Sequence, residues 1–184
     1  MEGFTKIGEM RVSLLTVNVI GTLISIPVLL LFAAAELLLF RHSELGWRQL
    51  CYFVAGFGLQ TIMHELFHAI GYIFDGGLRW NQVKFGVNWK GLSPYCICLS
   101  PIALPPFRRA ALLPTVVLFP LSVALWLMFQ SWWLNLMAAS TLAGAVGDFI
   151  IFLKSRNYPP NLFIVEHASG AGGDLFVAGP EQSR

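Results

Sequence analysis

The sequence predicts an all-α integral membrane protein with four transmembrane helices and a small cytoplasmic β-hairpin between helices two and three. Three observations predict it. Hydrophobic residues make up 56% of the 184 residues and charged residues only 12%, a balance that soluble domains do not have. Mean hydropathy is +0.66, and the apolar residues are gathered into runs long enough for a helix of about 20 residues to cross the hydrocarbon layer. The charges fall between those runs instead of along them. A net charge of +2 with no basic stripe gives a nucleic-acid partner nothing to bind, so the lipid bilayer is the solvent in which the chain has to be read.

The first span, 12–40, follows Lys6 and Arg11 as a signal peptide would. It is too long for a cleaved apolar segment, and we read it as an uncleaved helix, kinked or tilted at Pro27. The second span is 47–74. Between it and the third, segments 80–87 and 92–99 carry strand-like residues around Asn88-Trp89-Lys90-Gly91, which predicts a hairpin over about 80–99. Pro101, Pro105 and Pro106 then read as an irregular connector to the third span, 110–129. That span contains Pro114 and Pro120, tolerated where neighbouring groups satisfy the freed carbonyls, and neither is given a functional part. The fourth span is 132–153. The tail, 154–184, is rich in glycine and reads as a small, partly disordered appendage. There is no internal repeat, and 1–184 is expected to form a single domain.

Lys and Arg give the orientation, because cytoplasmic loops carry their excess. With four spans, ten of the twelve fall on one side, among them Lys6, Arg11, Arg79, Lys84, Arg108 and Lys154, and only Arg41 and Arg48 on the other. Both termini and the hairpin are therefore expected to be cytoplasmic in a multi-pass protein of the cell membrane. The three cysteines, Cys51, Cys96 and Cys98, lack the spacing of a thiol redox or structural zinc site. Alternate positions on one face of a strand account for Cys96 and Cys98, beside the less favoured reading of a metal site.

The second span reads His64-Glu65-Leu66-Phe67-His68. Two imidazoles one helical turn apart can grip one zinc ion, and the glutamate beside the first can take a proton from zinc-bound water. Ionisable residues inside a membrane helix cost at least about 2.5–3.5 kcal/mol each, so three together need a shared compensation, which a metal supplies. Gly56, Gln60, His64, His68 and Tyr72 recur every fourth residue and share one helix face. Gln60 on that face reads as an interhelical hydrogen-bonding group or as a donor behind a metal ligand.

A catalytic zinc needs a third protein ligand. The candidates are Asp148, Glu36, His42, His167, Glu166, Asp75 and Asp174, and Asp148, the one acid well inside the fourth span, is the best of them. His68 and Asp148 each lie six residues before the end of their spans, roughly 9 Å inside the same boundary at the helical rise, so they can meet at one ion. Glu36 and Arg41 read as the outer end of the first span. Asn81 and Asn88 are both open as groups that could stabilise an oxyanion.

At these residues the chain resembles a known family, the zincin peptidases catalogued as domain of unknown function 3267, relatives of the site-2 intramembrane metalloproteases. The likeness rests on His64 through Tyr72, Val83 through Val87, Pro94-Tyr95-Cys96, Arg108 through Pro114, Gly147-Asp148 and Val165-Glu166-His167. It implies a zinc endopeptidase acting within or beside the membrane, with Zn2+ held by His64, His68 and Asp148, and Glu65 as the catalytic base. The partners it implies are the bilayer and an unidentified membrane protein or peptide substrate. A metal-binding or partner-binding membrane protein without hydrolytic activity is the competing expectation; Glu65, for which such a protein has no use, favours the enzyme. A small transporter is disfavoured by the lack of paired repeat halves.

Overall fold

The computed structural model describes residues 3–40, 46–89, 93–167 and 171–179. The expectations for Arg41, His42 and the Lys90-Gly91 tip of the hairpin lie outside the described residues. Four helices are long and apolar enough to cross a membrane: 15–39, 47–75, 104–129 and 132–155. The first, α1 (Leu14–Leu39), starts where the Ser13 side chain accepts the Thr16 N–H at 3.0 Å, a standard N-cap. It packs on the fourth span and turns Leu23, Leu31 and Leu38 outward, each about two-thirds exposed or more. A helix so apolar on its outer faces suits lipid and not water, which is consistent with a multi-pass membrane protein.

The second span is α2 (Trp47–Ile70), continued by a π-helical turn over Gly71–Asp75. Its Gly56 packs against Trp133 and Met137. The third, α3 (Leu104–Phe129), begins six residues earlier than the predicted 110. The connector reading of Pro105 and Pro106 is thus corrected: both sit in the first turn, where the missing N–H groups have no helical partner to lose. The early start puts two arginines on the helix. Arg109 pairs with Asp75 (2.6 and 2.9 Å), and Arg108 donates to the carbonyls of Ser155 (2.6 Å) and Tyr158 (2.8 Å), capping the end of the fourth span. Gln130 and Ser131 alone link α3 to the next helix, as expected of a minimal turn. The fourth span consists of α4 (Trp132–Gly144) and α5 (Val146–Ser155), joined through Ala145, whose N–H reaches Thr141 and whose carbonyl accepts the Phe149 N–H, and Asp148 lies in the first turn of α5.

The predicted hairpin is present as β2 (Val83–Asn88) and β3 (Ser93–Cys98), antiparallel, with Val83 opposite Cys98 and Asn88 opposite Ser93. The all-α expectation is corrected by a second sheet. Four antiparallel strands run in the order β1 (Phe4–Val12), β6 (Ala171–Ala178), β5 (Phe163–Glu166), β4 (Ile102–Ala103). The first of these lies in the segment ahead of span one, and two come from the glycine-rich tail. The glycines that make the tail look formless are required by the sheet. Gly172 has φ +110, and a Cβ on it would overlap the Met10 carbonyl; one on Gly173 would overlap that of Val165. They lie in the central strand β6, between β1 and β5, where backbone on both sides approaches closely.

Met10, Ile102, Phe107, Ile164 and Leu175 fill the layer between this sheet and the ends of α2 and α3. That layer fixes where the tail strands meet the helices. The Gly172→Ala substitution is expected to destabilise the protein by more than about 1 kcal/mol, because L-residues resist that backbone and the space is filled. A lowered thermal midpoint in detergent, with helical circular dichroism intact below it, is the outcome to look for.

Candidate metal centre

The face of α2 defined by every fourth residue is turned onto α4 and α5. Gln60 reaches Ser140 of α4 at 3.3 Å, the interhelical role of its two expected ones. One turn on, His64 Nε2 lies 3.0 Å from Asp148 Oδ2, and one turn further His68 Nε2 lies 3.5 Å from Asp148 Oδ1. The two imidazole Nε2 atoms are 3.2 Å apart. The first turn of α5 thus meets the end of α2, and the two histidines and Asp148 come together.

The orientation of His68 is fixed from behind. Its Nδ1 lies 3.0 Å from the carbonyl oxygen of Ala110 on α3. A carbonyl only accepts, so Nδ1 carries the proton and Nε2 is the nitrogen that faces His64 and Asp148. Close approach of α3 makes this contact possible, since a Cβ on Gly71 would fall 2.6 Å from the Ala110 Cβ. Ligand atoms of His64, His68 and Asp148 all lie within 4.8 Å of one another. Asp148 Oδ2 is buried, with His64 Nε2 as its near neighbour, and the ligand nitrogens and oxygens form one cluster. Two imidazoles and a carboxylate are a donor set for zinc, and the residues present fit the ion that the motif implies.

The group forms one wall of a cavity of about 940 Å³. Asn18 and Thr22 of α1 and Asn88 of β2 also line it, whereas Asn81 does not. The Glu65 carboxylate lies beside Cys96 of β3. Beside it stands a residue considered above only as a possible ligand. Glu166, at the end of β5, also lines the cavity; it accepts the Cys98 N–H at 3.0 Å and is bonded by the Tyr72 hydroxyl. Tyr72 is stacked between His68 and Phe107. Burial pushes the Glu166 carboxyl up, and the Cys98 and Tyr72 hydrogen bonds oppose that shift. Only the Val165-Glu166-His167 resemblance pointed toward this residue, because no local pattern tells that a tail strand returns to the helices.

The other candidates lie elsewhere. His167 lines the cavity but is bound to Asp174 at 3.0 Å, and Asp174 to Lys6 at 2.8 Å. Asp75 is taken by Arg109. Glu36 does not mark an exposed helix end: it is fully buried and accepts the Trp126 indole N–H, well away along α1. Cys96 and Cys98 are buried on one face of β3, and burial, with Glu166 nearby, pushes both thiols up. They stay protonated and are poor metal ligands.

Residues 57–163 match a family model described as "Putative zincin peptidase" (DUF3267). The matched stretch holds the histidine pair, the hairpin, all of α3 and Asp148. No curated protein and no solved structure matches the chain.

Replacing Glu166 with Ala leaves the buried Cys98 N–H and Tyr72 hydroxyl without their acceptor, at about 1–3 kcal/mol for an unsatisfied group. The thermal midpoint should drop for Glu166→Ala and largely recover for Glu166→Gln, whose amide oxygen still accepts. Equal midpoints for Ala and wild type would show that the carboxylate contributes nothing.

Proposed function

We propose that this chain, which belongs to the zincin-peptidase family, is a membrane zinc metallopeptidase of site-2-protease-like type that cleaves a membrane protein or membrane-proximal peptide. The observation that carries the reading is the convergence of His64, His68 and Asp148 on one point of a cavity wall, with Glu65 beside them. The chain would lie in the cell membrane as a multi-pass protein with both termini and the hairpin cytoplasmic, on the Lys and Arg distribution. The half-exposed or more exposed rings of Phe85, Trp80 and Trp89 on and beside the hairpin suit a headgroup layer.

His64, His68 and Asp148 would hold the ion, which supplies Lewis acidity, polarising a peptide carbonyl and acidifying water at the centre. Glu65 takes the proton from that water and returns it to the departing amine, so the carboxylate is restored at the end of the cycle. A substrate helix buries its own carbonyls and has to unwind to be cut. The polar side chains Asn18 and Thr22 give such an unwound segment hydrogen-bonding partners inside the span. β3 runs alongside and offers a strand edge to extended backbone.

Metal content of detergent-purified protein by mass spectrometry tests this. About one zinc per chain is expected in wild type and in Glu65→Gln, and far less in His64→Ala and Asp148→Ala. Glu65→Gln should also lower proteolysis of a co-reconstituted membrane substrate by about 10²–10⁴-fold, the usual contribution of a general base. Well-folded wild type without zinc would sink the reading.

A further inference from the structure

We infer that Pro114 is a positioning residue of the metal centre, acting through the Ala110 carbonyl to set the tautomer and aim of His68. The inference rests on the zinc reading above and deepens it. In an α-helix the carbonyl of residue 110 accepts the N–H of residue 114. Here residue 114 is proline, which has no N–H and whose ring crowds that same carbonyl. Ala110 therefore has a carbonyl turned out of the helical ladder in the buried heart of α3. The atom that meets it is His68 Nδ1, 3.0 Å away.

The two deficits cancel. A carbonyl without its helical donor needs a partner in a medium that has no water to give, and a metal-binding imidazole needs an acceptor on its far nitrogen. Ala110, Pro114 and Gly71 together build that acceptor: Pro114 frees it, and Gly71 lets α3 come near enough, with Ala110 Cα only 2.7 Å from where a Gly71 Cβ would be. Pro120 is the internal comparison: it frees the carbonyl of Val116, a residue two-thirds exposed on the outer side of α3, so the same chemistry there faces away from the site.

Pro114→Ala restores an N–H four residues after Ala110 and makes it compete with His68 for one carbonyl. The test compares wild type, Pro114→Ala and Pro120→Ala in detergent, reading zinc affinity by competition with a chromophoric chelator, together with the thermal midpoint. Pro114→Ala should bind zinc about 10–100-fold more weakly, the usual effect of losing a partner behind a metal-bound histidine. Its midpoint should not fall, since a helix-breaking residue has been removed. Pro120→Ala should bind zinc as wild type does. A second measurement is independent of the ion: in metal-free protein with 15N-labelled histidine, the wild-type His68 Nδ1–H signal should show the downfield, exchange-protected character of a bond to a carbonyl, and Pro114→Ala should lose it. Wild-type zinc affinity in Pro114→Ala, or unchanged His68 15N shifts, overturns the inference. Loss of zinc from all three proteins, with the His68 shifts as expected, overturns the zinc reading and leaves the tautomer assignment standing.

Discussion

Polar groups inside a membrane have no water to fall back on, and the helices of this protein that are long and apolar enough to cross one hold His64, His68 and Asp148 in a single cluster. His64, His68 and Asp148 each carry lone pairs or charge into an apolar bundle, where an unpaired ion costs several kcal/mol. They face one another, so that each has a polar partner. Asp148, in the first turn of α5, meets both histidines, and the glycine at position 71 lets α3 reach the back of His68.

The same shortage explains the polar contacts away from the site. Glu36 meets the Trp126 indole, the Asn135 amide donates to the Phe32 carbonyl at 3.0 Å, and Gln60 meets Ser140. These bonds tie α1, α2 and α4 to their neighbours at depths where apolar packing alone gives little preference for one helix face over another. The end of α1 nearer Glu36 is pinned in this way, whereas the Asn18 and Thr22 end borders the cavity. One helix thus has a fastened half and a half that forms part of a wall.

Much of this was legible in the chain because it is local. The His-Glu-x-x-His spacing is set by one helical turn, the four spans by run length, and the hairpin by alternation around a turn. Asp148 could be matched to His68 by counting residues from the span ends. What stayed hidden depends on partners remote in sequence. Residues 4–12 look like a charged flank until residues 171–178 are laid beside them, and Gly172 and Gly173 look like disorder until the neighbouring carbonyls are seen. Pro105 and Pro106 read as a break because proline in a first helical turn and proline in a connector have the same local signature. Glu36 looked like a boundary residue since nothing near it in the chain announces Trp126. Pro114 was passed over because its consequence falls four residues back and then across to another helix.

The sheet also bears on how the molecule comes into being. Strand β1 is made before any of the five helices, and its partner β6 after all of them, so the pairing waits until every described span has left the ribosome. Glu166, with its grip on Cys98 and Tyr72, arrives equally late. Until β6 pairs with β1 and β5, the sheet that carries Glu166 to Cys98 is incomplete, so the histidine pair gets its full setting last.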